Sequence, residues 1–85
     1  MWIKVQEAVL DKHPIDFEEL INLETDKYEE IKLMMMGRHD WVIGGCNGKT
    51  ITIFGRYYDH NHASKIFYEI LKAMAEDKKV YQMPN

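Results

Sequence analysis

Trp2-Ile3-Lys4-Val5-Gln6-Glu7-Ala8-Val9 opens with Ile3 and Val5 alternating against Lys4 and Gln6, the period-two pattern of a half-buried strand. His13-Pro14 breaks it, because proline pushes the residue before it towards extended backbone. Phe17 to Leu23 satisfies two periods at once: Phe17, Leu20 and Ile21 suit a helical turn, Ile21 and Leu23 a strand. Between Tyr28 and Met36, Ile31, Leu33 and Met35 alternate with Lys32, Met34 and Met36, which predicts a strand with one firmly apolar face and one semi-apolar face. Gly37-Arg38-His39-Asp40 reads as a turn, and Trp41-Val42-Ile43 starts the next strand on bulky and β-branched residues. Asn47-Gly48 then separates that strand from Thr50-Ile51-Thr52-Ile53-Phe54. This pair favours positive φ and predicts a type I′ hairpin joining two antiparallel strands.

The period changes after Tyr57-Tyr58. Asp59 is placed to accept from the first backbone N–H groups of a helix beginning at His60. Ala63, Ile66, Phe67, Ile70, Leu71 and Met74 then recur at the spacing of one helical face, while Lys65, Glu69, Lys72 and Glu76 form the other. Lys78-Lys79 suit the negative end of the helix dipole. Val80-Tyr81-Gln82-Met83 is too short to classify by period, and Pro84 ends it. No repeat, low-complexity run or linker divides the chain, so residues 1–85 are expected to form a single α+β domain.

Composition narrows the function classes. A hydrophobic share of 46% is that of a folding chain rather than a disordered one. At 85 residues it builds one core, and domains of this size often gain stability from a disulfide, a metal or a second subunit. The single cysteine, Cys46, cannot pair within the chain. The sequence lacks the ~20-residue apolar run of a membrane helix and the apolar core of a signal peptide, so a cytoplasmic, membrane-free protein is expected. The net charge of −3 argues against binding a phosphate backbone. Its distribution is uneven: eight acids against two lysines between Asp11 and Glu30 give −6, leaving +3 for the rest.

Several patterns invite a catalytic or ligand-binding reading and lose it on geometry. Gly48-Lys49-Thr50 looks like the end of a phosphate-binding loop, but the position that needs the first glycine is Ile43, and a strand rather than a helix follows. His60 and His62, with Asp59, His39-Asp40 and Cys46, offer zinc-type donors. Two residues apart on a helix, however, His60 and His62 diverge by about 200°. Cys46 beside a hairpin has no visible base to activate it. No metal and no cofactor is therefore expected. The absence of a convergent acid, base and nucleophile favours binding over catalysis.

The opening Met1-Trp2-Ile3, Leu20-Ile21-Asn22-Leu23, Asn47-Gly48-Lys49, Gly55-Arg56-Tyr57-Tyr58-Asp59 and the closing Val80-Tyr81-Gln82-Met83-Pro84 resemble a group of short proteins of Firmicutes and their phages. The resemblance spans the whole chain and carries no catalytic residue over. It implies an antiparallel β-meander of about four to five strands, one C-terminal amphipathic helix packed on it, and a short final strand. With the residue reading, it leads to a non-enzymatic protein-interaction module of phage or mobile-element type that binds a host or phage protein, with no nucleic-acid or membrane partner.

Met34 and Met36 are the most specific candidates for contact, because a strand burying one side normally shows polar residues on the other. They predict a homo-oligomer, by default a two-fold dimer, formed through the sheet or a strand edge. Trp41 and Tyr58 add aromatic area suited to interfaces, and Glu18 and Glu19 would engage a basic partner. The alternative is a protein that holds a nucleotide-like ligand between aromatic rings, with Arg56, Arg38 or Lys49 facing its phosphate.

Overall fold

A computed structural model describes residues 1–6 and 22–85. Its strands are β1 (Trp2–Lys4), β2 (Asn22–Glu24), β3 (Glu30–Gly37), β4 (Asp40–Asn47), β5 (Thr50–Tyr57) and β6 (Val80–Gln82), with a helix, α1 (His60–Ala75), between β5 and β6. The three long strands form the antiparallel meander β3-β4-β5. The three short ones form a second sheet, β2-β1-β6, in which β1 runs antiparallel to β2 and parallel to β6. The α+β class with one C-terminal helix and a short last strand holds, and the meander itself is three strands long. His13-Pro14 and the first part of the ambiguous stretch Phe17 to Leu23 lie outside the described residues; from Asn22 that stretch is strand.

The β4–β5 hairpin forms where expected, but with its turn shifted by one residue. Asn47 pairs with Thr50 as the last rung of the ladder, so Gly48 and Lys49 make the loop, and of these only Gly48 has positive φ, at 60°. Glycine in the first loop position is the pattern of a type II′ turn rather than the type I′ turn that Asn-Gly suggests. Asn47 is drawn into the strand because its side chain has other work. Its Nδ2 donates to the Lys27 carbonyl at 2.9 Å and its Oδ1 accepts from the Glu29 N–H at 2.9 Å, fastening the single 3₁₀ turn Thr25–Lys27 to the hairpin.

The core lies between α1 and one face of the meander: Ile43, Phe54 and Tyr57 meet Ala63, Ile66 and Ile70, with Ile3 of the second sheet and Met83 just after β6. A β-bulge makes this possible. Ile43 pairs with Gly55 and Gly44 with Ile53, so Phe54 is an extra residue on β5. The insertion resets the alternation, and Phe54 and Tyr57 both point inward with Arg56 outward. Burial holds the Tyr57 hydroxyl protonated far above the ordinary tyrosine value, as it must be to donate to the Pro84 carbonyl at 2.7 Å. Gly45 is required opposite this cluster, because a Cβ there would run into the Tyr28 ring.

Helix α1 starts at His60, and Asp59 caps it by accepting from the His62 N–H. Its buried stripe is narrower than the sequence pattern suggests: Ala63, Ile66, Ile70 and Ala73 are buried, Phe67 is half-buried, and Leu71 is 44% exposed with Met74 also at the surface. The small side chains Ala63 and Ala73 allow close approach to the sheet, and the helix presents them in preference to Leu71 and Met74. The helix ends on a Schellman motif, in which Lys78 N–H donates to Ala73 O and Asp77 N–H to Met74 O. Asp77 there has φ of 58°. An L-residue with a Cβ is disfavoured in this region by about 1–2 kcal/mol, so Asp77→Gly should raise stability by about 1 kcal/mol, read as a higher urea midpoint at unchanged m.

Gln6 joins the two sheets. Its backbone N–H donates to the Phe54 carbonyl at 2.8 Å, its Oε1 accepts from the Arg56 N–H at 2.7 Å, and its Nε2 donates to the Pro84 carbonyl at 3.3 Å. A buried amide with both ends engaged specifies its position strongly. The chain that leaves β1 thus meets the outer edge of β5 at Phe54 and Arg56.

Candidate functional site

The opposite edge of the meander is β3. Among the described residues no strand pairs with its outer side, so a row of backbone N–H and C=O groups is presented there along an eight-residue strand. Natural edge strands are blunted with charge, proline or distortion. This one carries Ile31, Leu33, Met34, Met35 and Met36 in six positions, broken by Lys32, which pairs with Glu30 at 3.5 Å on the same strand. A bulge stands near its end: Met35 pairs with Trp41 and Gly37 with Asp40, leaving Met36 as the extra residue.

Exposure along β3 is graded. Ile31 and Leu33 touch the core without being buried in it, and Met34 is half-buried opposite Val42. Met35 is 64% exposed and Met36 54% exposed. By contrast, Val42 and Cys46, on the sheet face turned away from α1, are buried within the single chain. The second face is thus covered at its centre, and among the described residues what lies open is the edge.

The turn beyond β3 adds polar and aromatic groups. His39 takes a φ of 59°, a region in which histidine is one of the more tolerated side chains. Its ring stacks on Tyr58 with centroids 4.4 Å apart and planes within 8°. Tyr58, just past β5, is 71% exposed. Arg56 grips Asp40 through both ends of its guanidinium, the Nε–Oδ1 contact being 3.1 Å; this hydrogen bonding raises the arginine pKa further and commits the cation to the protein itself.

The predicted contact residues therefore separate into groups. Met34 and Met36 lie on the open strand, and Tyr58 stands on the neighbouring turn. Arg56 is engaged by Asp40. Trp41 is half-buried, packed on the core and against the His60 ring at 4.4 Å. Glu18 and Glu19 lie outside the described residues. His60 and His62 pack against different rings, Trp41 and Tyr57, and among the described residues no group of three His, Cys, Asp or Glu is placed to hold a metal. Met35 was the omission: its alternation assigns it to the core face, but it is largely exposed. A shallow cleft of about 330 Å³ between α1 and β6 is walled by Glu69, Lys72, Glu76 and Lys78, a mixture of charges with no directional preference.

No protein-family model matches the chain, and no curated protein or solved structure matches it either. No helix among the described residues is long and apolar enough to cross a membrane.

Proposed function

We propose that this chain is a small non-enzymatic protein-interaction module, of phage or mobile-element type, that binds by accepting an extended strand along β3. The observation that supports it is the outer edge of β3, unpaired among the described residues and flanked by apolar side chains that are exposed or half-buried. Strand addition uses these two features together: main-chain hydrogen bonds supply affinity, and side chains on alternate positions supply selectivity. Methionine suits the task because its unbranched, polarizable side chain adapts to differing partners.

A selection from a random library of linear peptides displayed against the purified protein tests this reading. The expected binders are β-prone segments that shift the backbone amide resonances of residues 30–37 and lose affinity when their own amides are N-methylated at alternate positions. Binders that map to α1 or the α1–β6 cleft, or no binders at all, would overturn it.

The Tyr58–His39 stack carries a second reading, in which a nucleotide-like ligand stacks on the exposed tyrosine ring with Arg38 facing its phosphate. Native mass spectrometry of the purified protein would reveal such a ligand as a retained mass.

A further inference from the structure

We infer that α1 reads the strand which β3 receives: Phe67 and Leu71 wall a groove beside the open edge, and its occupant is an internal peptide segment with large apolar side chains at alternate positions, an acid before them and a base after. The inference rests on the strand-addition reading and names the class of strand.

Helical spacing places the wall. Glu69, on one flank of α1, accepts from the Tyr81 hydroxyl at 2.9 Å and so faces β6. That is the β5 side of the meander, because the Tyr57 hydroxyl donates to the Pro84 carbonyl and Met83 lies beside Gly55. Leu71, two residues after Glu69, stands about 200° further round the helix and is turned to the β3 side. His60, Ser64, Phe67, Leu71 and Met74 share this flank at i, i+4, i+7, i+11 and i+14. The two ends of the flank meet the two ends of β3. His60 packs on Trp41 at 4.4 Å, and Trp41 is the ladder partner of Met35. Met74 borders a small hollow with Met1 and Thr25, at the turn that leads into β3. The flank therefore runs alongside the strand.

Burial shows what the line between them lacks. Phe67 is only half-buried and Leu71 is 44% exposed, while Ile31 and Leu33 touch the core without being buried in it. A strand added to β3 lies about 4.8 Å further out and turns every second side chain towards α1. Those side chains meet Ile31, Leu33 and Met35 across the ladder and Phe67 and Leu71 from the helix. Apolar ones gain cover and give it, whereas a charged one loses water without gaining a partner.

Charge sets the direction. Asp26, Glu29 and Glu30, against Lys27, make the start of β3 acidic, and Arg38 in the turn beyond Gly37 makes its far end basic; all are exposed. Antiparallel pairing, the slightly more stable kind, brings the N-terminal end of the occupant to Arg38 and its C-terminal end to the acids. An acid first and a base last match these ends. A free C-terminal carboxylate would meet like charge, which favours an internal segment over a chain end.

The synthetic peptide acetyl-Asp-Ile-Thr-Ile-Thr-Ile-Lys-amide, titrated into isotope-labelled protein, tests the inference. It should shift the backbone amides of residues 30–37 together with the Leu71 methyl groups. Leu71→Ser should weaken binding about tenfold, the loss of one apolar contact, whereas Val80→Ser, a comparably exposed position on β6, should change it less than about twofold. Exchanging the terminal Asp and Lys of the peptide should weaken binding about twofold to fivefold at low salt, and Arg38→Glu should remove that preference. A peptide that shifts residues 30–37 but binds Leu71→Ser as tightly as the parent overturns the helical wall and leaves strand addition standing. Equal binding of the two charge orders overturns the direction. If this peptide leaves residues 30–37 unmoved while library-selected peptides shift them, the occupant named here is wrong; if neither shifts them, or if the shifts are confined to α1, strand addition itself falls.

Discussion

Phe54→Ala is expected to cost about 3–5 kcal/mol, the range for removing a fully buried phenylalanine from a close-packed core. The side chain is wholly inaccessible and meets the Tyr28 ring edge-on with centroids 5.5 Å apart. It sits at a bulge, where the neighbouring backbone is fixed by pairing on both sides and has little freedom to collapse into the void. Against a total domain stability of about 5–15 kcal/mol, the loss should leave a substantial fraction unfolded near physiological temperature. Urea denaturation followed by tryptophan fluorescence measures it. Leu71→Ala is the informative control: half in solvent, it should cost about 1 kcal/mol or less. Equal losses from the two substitutions would contradict the orientation of α1 described above.

Gln6→Ala should cost about 2–3 kcal/mol and also change how the protein associates. The substitution leaves the Arg56 N–H without its acceptor in a partly buried setting and removes one of two donors to the Pro84 carbonyl. A buried donor left unsatisfied costs about 1–3 kcal/mol, and side-chain packing is lost with it. It also loosens the segment that meets the β5 edge at Phe54 and Arg56. The expected signs are faster hydrogen exchange at the Arg56 amide and light scattering that grows with concentration, since more of the β5 edge would then be open to pairing. A variant that remains as protected and as monodisperse as the parent would show that this amide does not guard the β5 edge.

Local chemistry made much of the fold legible. Asp59 and the apolar spacing after it located α1 at its first residue, and Asn47-Gly48 located the β4–β5 hairpin. What escaped the sequence depends on non-local packing. Asn47 serves Lys27 and Glu29, twenty and eighteen positions away, and that demand shifts the turn by one residue. Thr50 to Ile53 alternates regularly, and the adjacent apolar pair Ile53-Phe54 does not by itself show that the core takes Phe54 and Tyr57 on one side. Helical periodicity defines a wide apolar arc on α1, but which part of the arc faces the sheet depends on how closely Ala63 and Ala73 allow the backbones to approach. For the candidate site, Met34 and Met36 lie on the strand whose semi-apolar second face the residue spacing marks. The exposure of Met35 and the engagement of Arg56 by Asp40 depend on tertiary packing and on which strand lies alongside, and neither is written in the spacing of residues.

The pairing of β1 with β6 also fixes an order of events in time. The meander is built from hairpins whose partners are near neighbours in sequence, and such contacts form within microseconds to milliseconds. Lys4 and Gln82, in contrast, meet across 78 positions. Closing a loop of that length carries an entropic cost that nearby contacts must already be offsetting. During synthesis at about 5–20 residues per second, β3, β4 and β5 can assemble while the rest of the chain is still emerging, but the second sheet must wait for Val80–Gln82. For those seconds Ile3 and the inner side of the meander lack their final cover, and the nascent chain is at its most vulnerable to capture by chaperones or by another copy of itself.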